Sequence, residues 1–404
     1  MTTRWGAVAL GCLLAGSASA LSPEEAVRLA LSRPENTVSM EAAVDLAHAD
    51  LLEARAWPNP ELRVGREDPR GADREPGETS VMLAQTLELG GRRGLTRATR
   101  ELEVAAARAR AEVARNELRA DVLQGYYAVL AEERRVGALM AHGADLARLS
   151  RIAEKRRAAG DLSGYAQRRI AQLERSATSR LEIARGEAAT QRAALQALIG
   201  QPVPPLGDVH PLAPPDPPPH QQLGESLERS ALLRALSGQR DAAVAGERAA
   251  RRPALPVTFG VGRKRFGGGP GGRTDDALLL ELSVPLPVFE RNRAGIARNT
   301  VLAADAEARY LRTRTEVAAR IEAAWQQASG LTRAARTLRE QDLPESAELV
   351  RIALLSFDAG ELDLPGLIDA LDARLAAHEQ LLDTEWRARR ASIELEQLTS
   401  GDMP

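Results

Sequence analysis

The sequence predicts a mainly α-helical protein with a small β part, built on one plan used twice in a single chain. Three observations predict it. First, alanine and arginine dominate the 404 residues, while aromatic residues make up only 3% and charged residues 27%. So little aromatic bulk does not fill a thick globular core, whereas an Ala-rich, charge-rich chain suits long helices lying side by side. Second, apolar residues recur at heptad spacing over long stretches. Third, the chain repeats itself at about 200 residues.

The repeat is carried by matching segments. Arg157-Ala158-Ala159-Gly160-Asp161-Leu162-Ser163 returns 200 positions later as Phe357-Asp358-Ala359-Gly360-Glu361-Leu362-Asp363. Trp57-Pro58-Asn59-Pro60-Glu61-Leu62 answers to Arg252-Pro253-Ala254-Leu255-Pro256-Val257, and Leu198-Ile199-Gly200 to Thr399-Ser400-Gly401. The expected organisation is a leader at 1–20, a first repeat at 21–200, a Pro-rich connector at 201–221, a second repeat at 222–401 and a tail at 402–404. Gln201 to His220 holds nine prolines, which excludes helix or central strand there.

The leader reads as a secretory signal peptide. Arg4 supplies a positive start, Trp5 to Gly16 is mostly apolar, and Ala18-Ser19-Ala20 is a small-residue cleavage site. Cys12 is a rival processing point, because Ala9-Leu10-Gly11-Cys12 loosely resembles a lipoprotein box. The apolar stretch before it is only seven residues. Beyond residue 20 no apolar run reaches 18 residues. Any crossing of a membrane therefore falls to strands closed into a barrel.

Each half follows the same order. A helix comes first, Pro23–Ala56 and then Gln222–Arg251. Ser22 caps the first, with Pro23 at its first position and Glu24 and Glu25 in its first turn. Two strands follow: Glu61–Glu67 with Thr79–Leu89, and Pro256–Lys264 with Ala277–Val288. Leu62 and Val64 share one face, and Leu278, Leu280, Leu282 and Val284 share another, with Glu281 and Ser283 opposite. Then come very long helices, Arg93–Ala159 and Asn292–Ala359. Val317, Ile321, Ala324, Ala328, Leu331, Ala335 and Leu338 form an apolar seam in the second. Pro344 should bend or locally unwind it. Gly160 and Gly360 punctuate, Ser163 and Asp363 cap, and helices Ser163–Ile199 and Pro365–Thr399 fold back. In the first of these Ile170, Leu173, Ala177, Leu181, Ala184 and Ala188 keep the seam.

A helix of about 66 residues is about 100 Å long, and the two shorter helices of a half nearly match it. The expectation is a rod with β-hairpins toward one end and helical turns at the other. Four strands are too few to close a barrel, whereas three chains supply twelve.

Taken together, these segments resemble the TolC-type outer-membrane efflux channels, and within them the heavy-metal (CzcC-like) branch. The resemblance rests on Ser22-Pro23-Glu24-Glu25-Ala26-Val27-Arg28-Leu29-Ala30-Leu31, on Ala56 to Leu62 and on Gln85-Thr86-Leu87-Glu88-Leu89-Gly90-Gly91-Arg92-Arg93-Gly94. It also rests on Ala158 to Ser163 and on Pro285-Leu286-Pro287-Val288-Phe289-Glu290-Arg291-Asn292-Arg293. It covers the whole chain past the leader. The Leu-Glu-Leu-Gly-Gly-Arg-Arg run suggests the metal branch. The resemblance implies a homotrimer in the outer membrane of a Gram-negative bacterium, with a twelve-stranded β-barrel in lipid. It also implies a long helical α-barrel in the periplasm, docking to an adaptor (membrane fusion protein) and an RND-type inner-membrane pump. By the same resemblance the cargo is heavy-metal cations. Two departures stand out: only Trp57, Phe259, Phe266 and Phe289 lie near strand ends as an aromatic girdle, and Ala166 replaces an acid that family tips often carry. Some members of that branch are lipoproteins, which keeps Cys12 a second candidate.

The turns Gly160-Asp161-Leu162-Ser163 and Gly360-Glu361-Leu362-Asp363 are the candidate pore mouth and adaptor-docking tips. In a trimer, Asp161, Glu361 and Asp363 would place up to nine carboxylates there, favouring cations; Arg156, Arg157 or Arg168 would supply compensating links. The same acids also suit plain helix capping. No catalytic, cofactor or metal-binding residues are expected. Gly267-Gly268-Gly269-Pro270-Gly271-Gly272 satisfies a dinucleotide pattern, but a strand rather than a helix follows it. His378-Glu379 lacks a zinc-protease partner histidine, and 54 basic against 56 acidic residues argue against nucleic-acid binding. The rival readings are a periplasmic coiled-coil adaptor or scaffold, which would show one helical hairpin rather than two matching halves, and a periplasmic enzyme.

Overall fold

The computed structural model describes residues 21–68, 77–158, 163–207, 210–267 and 274–400. The leader with Cys12, and Gly160, Asp161 and Leu162, lie outside them. The elements run α1 (Pro23–Leu31), α2 (Pro34–Arg55), β1 (Glu61–Glu67), β2 (Glu78–Glu88), α3 (Arg92–Ala158) and α4 (Gly164–Ile199). After the connector come α5 (Leu223–Arg229), α6 (Ala231–Arg251), β3 (Pro256–Phe266), β4 (Asp275–Ser283), α7 (Arg293–Thr337), α8 (Leu343–Asp358) and α9 (Leu364–Thr399).

The main departures from the sequence expectation are in the first helix of each half and at the end of β4, while the long second-half helix is disturbed at Pro344 as expected. The first helix is two: Pro34 opens α2, and Arg33 before it is extended, at φ −67° and ψ 129°, as a residue preceding proline prefers. The helix expected over Gln222–Arg251 begins with a 3₁₀ turn at His220–Gln222 and breaks at Ser230, φ −55° and ψ 123°. Leu223 and Leu233 are ten positions apart and would point different ways on one straight helix. The break lets both enter one core. β4 ends at Ser283 rather than Val288, because Pro285 and Pro287 have no N–H for the ladder. The long helix over 292–359 is interrupted by a π turn, Leu338–Asp342, where Leu343 N–H reaches back to the Leu338 carbonyl. Pro344 lacks the N–H that the Glu340 carbonyl would need in a regular helix, and the wider turn absorbs the defect.

The chain forms two compact units. The described residues of the first fall within Met1–Ala30, Asp121–Pro215 and Gly330–Arg390. Its core joins Leu146, Leu149 and Ala153 of α3 and Ile170 and Ala177 of α4 to Phe357 of α8 and Leu364, Leu367 and Leu371 of α9. The α4 seam is buried at Ile170, Ala177, Ala184 and Ala188, while Leu173 and Leu181 flank it half-buried. The connector is packed here as well: Leu206 and Leu212 are fully buried. Glu133 accepts from Arg192 at 2.6 Å and from the Leu206 N–H at 3.0 Å. Arg389 donates to the carbonyls of Pro211, Leu212 and Ala213 and stacks over Tyr127, 4.2 Å from the ring centre.

The second unit draws on Leu31–Ala120, Asp216–Ser329 and, among described residues, 391–400. Its strands make one antiparallel sheet in the order β1-β2-β3-β4. β2 and β3, far apart in sequence, pair from Glu78↔Phe266 to Glu88↔Pro256. β1 and β4 are the edges. A second core gathers Leu223, Leu233, Val317, Ile321, Ala324, Leu395 and Leu398.

Candidate functional site

The sheet presents an apolar face to the outside. Pairing aligns Leu62, Leu83, Val261 and Leu280 in one row across all four strands. A second row is Val64, Val81, Arg263 and Leu278, and a third runs through Gln85, Phe259 and Leu282. The apolar members are exposed, Leu278 and Leu280 by about three quarters. In water such a contiguous apolar band is unfavourable, so it marks a surface meant to be covered.

The opposite face is polar and tight. Arg63 on β1 donates to Glu281 on β4 at 2.6 Å. Thr86 and Thr258 hydrogen-bond at 2.8 Å. A Cβ at Gly262 would lie 2.4 Å from the Val81 carbonyl oxygen, so that position accepts only glycine without a shift. Apolar-out and polar-in alternation on closed strands is the pattern of a lipid-embedded barrel wall. Among the described residues no helix is long and apolar enough to cross a membrane.

In the first unit, α8 ends at Asp358 and Gly360 takes φ +78°. The Glu361 and Leu362 N–H groups both return to the Ser356 carbonyl, closing the helix end as a left-handed glycine stop does. Leu362 packs on the core, Glu361 is exposed, and the Asp363 side chain caps α9 by accepting from Gly366 N–H at 3.0 Å. Ser163 caps α4 by accepting from Ala166 N–H. Arg156 joins the ends of α3 and α8: it donates to the Phe357 carbonyl at 2.9 Å and lies over the Phe357 ring. Ser163 and Asp363 thus act as caps, and Arg156 ties the end of α3 to the end of α8 through Phe357 rather than through a turn carboxylate.

The sequence reading missed a buried histidine where α3, α4 and α9 meet. His142 is 5% exposed; Nε2 lies 3.5 Å from Asp372, and Nδ1 is buried without a partner. Two ion pairs flank it, Arg180–Glu379 and Arg374–Asp145. Burial holds its pKa below the usual histidine value, against the pull of Asp372. A cavity of about 890 Å³ beside it is lined by Gly137, Ala141, Asp145, Arg374 and His378. Burial likewise raises the Glu385 carboxyl, which Arg339 of the π turn partly offsets. Isolated histidines and acids in Ala-rich helices carry no pattern by which a sequence could single them out. Among the described residues no group of three or more His, Cys, Asp or Glu is placed to hold a metal ion.

This fold, long helices plus a four-stranded sheet with one apolar face, defines a class of outer-membrane channel proteins. The sequence pattern of the Outer membrane efflux protein family matches residues 223–401. The chain is 30% identical over 366 residues to the cobalt-zinc-cadmium resistance protein CzcC of Cupriavidus metallidurans, across 88% of this chain and 84% of that one. Among solved structures, CusC superposes with a TM-score of 0.78 at 16% identity, covering 94% of this chain and 92% of its own. A membrane protein from Pseudomonas aeruginosa gives 0.73 at 21%, covering 94% and 93%, and the channel OprN gives 0.75 at 18%, covering 94% and 90%. The chain belongs to the outer membrane efflux protein family, in its TolC-type, CzcC-related branch. It is an outer-membrane efflux channel, and the family's work is transport rather than catalysis.

Proposed function

We propose that three copies of the chain close a twelve-stranded barrel in the outer membrane and conduct divalent heavy-metal cations outward. The single observation that carries the barrel is the sheet: one exposed apolar face, a polar inner face, and free edges at β1 and β4. Four strands per chain and three chains give the twelve that close. The paired order of elements in 21–200 and 222–401 supports a duplicated origin, with the connector as the join. The helices form the periplasmic α-barrel, and the turns around Gly160–Ser163 and Gly360–Asp363 meet an adaptor and an RND-type inner-membrane pump. The channel is a passive conduit, and the pump supplies energy and most of the cargo choice. The cargo reading rests on the resistance protein's name and on acids at the turns. Deletion of the gene should lower tolerance to cobalt, zinc or cadmium. Altered tolerance to dyes or antibiotics with metal tolerance unchanged would refute the metal cargo.

A further inference from the structure

Leu21 sits in a fixed seat. It is 6% exposed, and its carbonyl accepts from the hydroxyl of Tyr126, a wholly buried side chain, at 2.8 Å. The Tyr127 and His210 rings meet Tyr126 edge to face, at 5.3 and 6.1 Å between centres. Ser22 then caps α1, accepting from the Glu25 N–H at 3.1 Å, and Ala26 and Ala30 of α1 are fully buried. Pulling Leu21 away would orphan a buried hydroxyl and expose that apolar face. The start of α1 is therefore pinned to one place on α3.

That place is far along α3 from its strand end. α3 runs unbroken from Arg92, shortly after β2 ends at Glu88, and Tyr126 stands thirty-four positions into it. At 1.5 Å per residue the separation is about 51 Å. Arg93 donates to the Arg55 carbonyl at 2.6 Å, so α1 and α2 carry the chain from Tyr126 back to the first turn of α3. Arg92, Arg93, Arg97 and Arg100 keep those first turns out of hydrocarbon. The backward lean of the Tyr126 side chain recovers about 5 Å and the depth of the headgroup layer about 6 Å. A lipid carried by the N-terminal segment therefore has about 40 Å to cover from Leu21. Leu21 is nine residues on from Cys12. Nine residues reach about 30 Å at full stretch and about 17 Å as a relaxed coil, so a lipid on Cys12 falls short.

We infer that Cys12 carries no lipid and that the working channel starts at Leu21, cut after Ala20, because one chain cannot hold both the seat on Tyr126 and a lipid anchor at Cys12. The inference rests on the barrel reading above for where the lipid lies, and the test tells the two apart. Mass spectrometry of the chain purified from outer membranes should find a free amino group on Leu21. Diacylglyceryl-modified Cys12 would overturn the inference. Forced anchoring then tests the reach itself. Residues 1–11 are replaced by the leader of an established bacterial lipoprotein, so that Cys12 is acylated. This chain is made with and without a flexible Gly-Ser spacer of about 25 residues between Ser19 and Ala20, long enough to cover the gap. The readout is hydrogen exchange of the peptide covering α1, in the full chain in membranes. Acylation without the spacer should speed that exchange by about tenfold or more, because the seat is pulled open, and the spacer should restore the native rate. Native exchange in the acylated chain without a spacer would refute the reach argument. Equal damage with and without the spacer would refute it too, since acylation rather than reach would then be the cause. A chain that begins at Leu21 yet leaves the membrane in alkaline carbonate would refute the barrel while the N-terminal assignment stands.

Discussion

Arg389 is the residue whose removal should most clearly loosen the connector. It is 8% exposed, and its guanidinium satisfies three consecutive carbonyls, Pro211 at 3.0 Å, Leu212 at 2.9 Å and Ala213 at 2.5 Å. An Arg389→Met variant keeps most of the apolar stem and loses every donor. Hydrogen bonds to a charged group are each worth about 1.5–3 kcal/mol net, and three on one guanidinium do not add fully, so a loss of about 3 kcal/mol is a conservative figure. That corresponds to roughly a hundredfold rise in the population of the detached connector. The assay is hydrogen exchange of the connector peptide that contains Leu206, a residue 1% exposed whose N–H donates to Glu133. Exchange there should quicken by about two orders of magnitude in the regime where opening limits nothing but population. Arg390→Met, at an exposed neighbouring position, is the control and should change nothing. An Arg389→Met exchange rate within about threefold of wild type, well under the population shift expected, would refute the strap.

Three further outcomes follow from the first unit. Because burial depresses the His142 pKa, protonation favours the unfolded chain. The stability it carries is full above the ordinary value of about 6.5 and is lost as pH falls through the lower folded value. His142→Gln should remove that loss, so the unfolding midpoints of wild type and variant, measured from pH 8 downward, should shift against each other below about 6.5; a constant gap would refute it. Gly360→Ala, at φ +78°, should cost about 1 kcal/mol in thermal unfolding through the left-handed backbone alone; no change would mean the turn does not need that geometry. Asp161→Asn with Glu361→Gln and Asp363→Asn should reduce cation preference and multivalent-cation block in single-channel recordings of the purified channel. Unchanged selectivity with a stability loss of about 1 kcal/mol would leave these acids as caps only.

The strands were legible because a sheet with one apolar and one polar face imposes alternation: Leu62 and Val64, or Leu278, Leu280 and Leu282, mark one face without knowledge of their partners. The tip caps were legible because Ser163 and Asp363 act on N–H groups three residues away. Pro344 announced a disturbance of the helix, since a missing N–H is a local fact, but not that it would take the form of a π turn. What was hidden depends on distant partners. Ser230 breaks a helix without proline or glycine because Leu223 and Leu233 share a tertiary core. Pro285 and Pro287 were read through as strand, although their lost ladder bonds end it. The docking of the connector by Glu133 and Arg389, and the burial of His142 between three helices, leave no trace in local spacing.

The most direct test of the trimeric barrel is a disulfide scan between the free edges. Cys12 is the chain's only cysteine, so paired cysteines placed along β1 (Glu61–Glu67) and β4 (Asp275–Ser283) report cleanly. The two edges lie at opposite sides of the β1-β2-β3-β4 sheet, and barrel closure joins β4 of one copy to β1 of the next. Oxidation in outer membranes should give dimers and a terminal trimer at pairs in one register and at no other. A chain that stays monomeric at every pair, or ladders without stopping at three, would contradict the closed trimer.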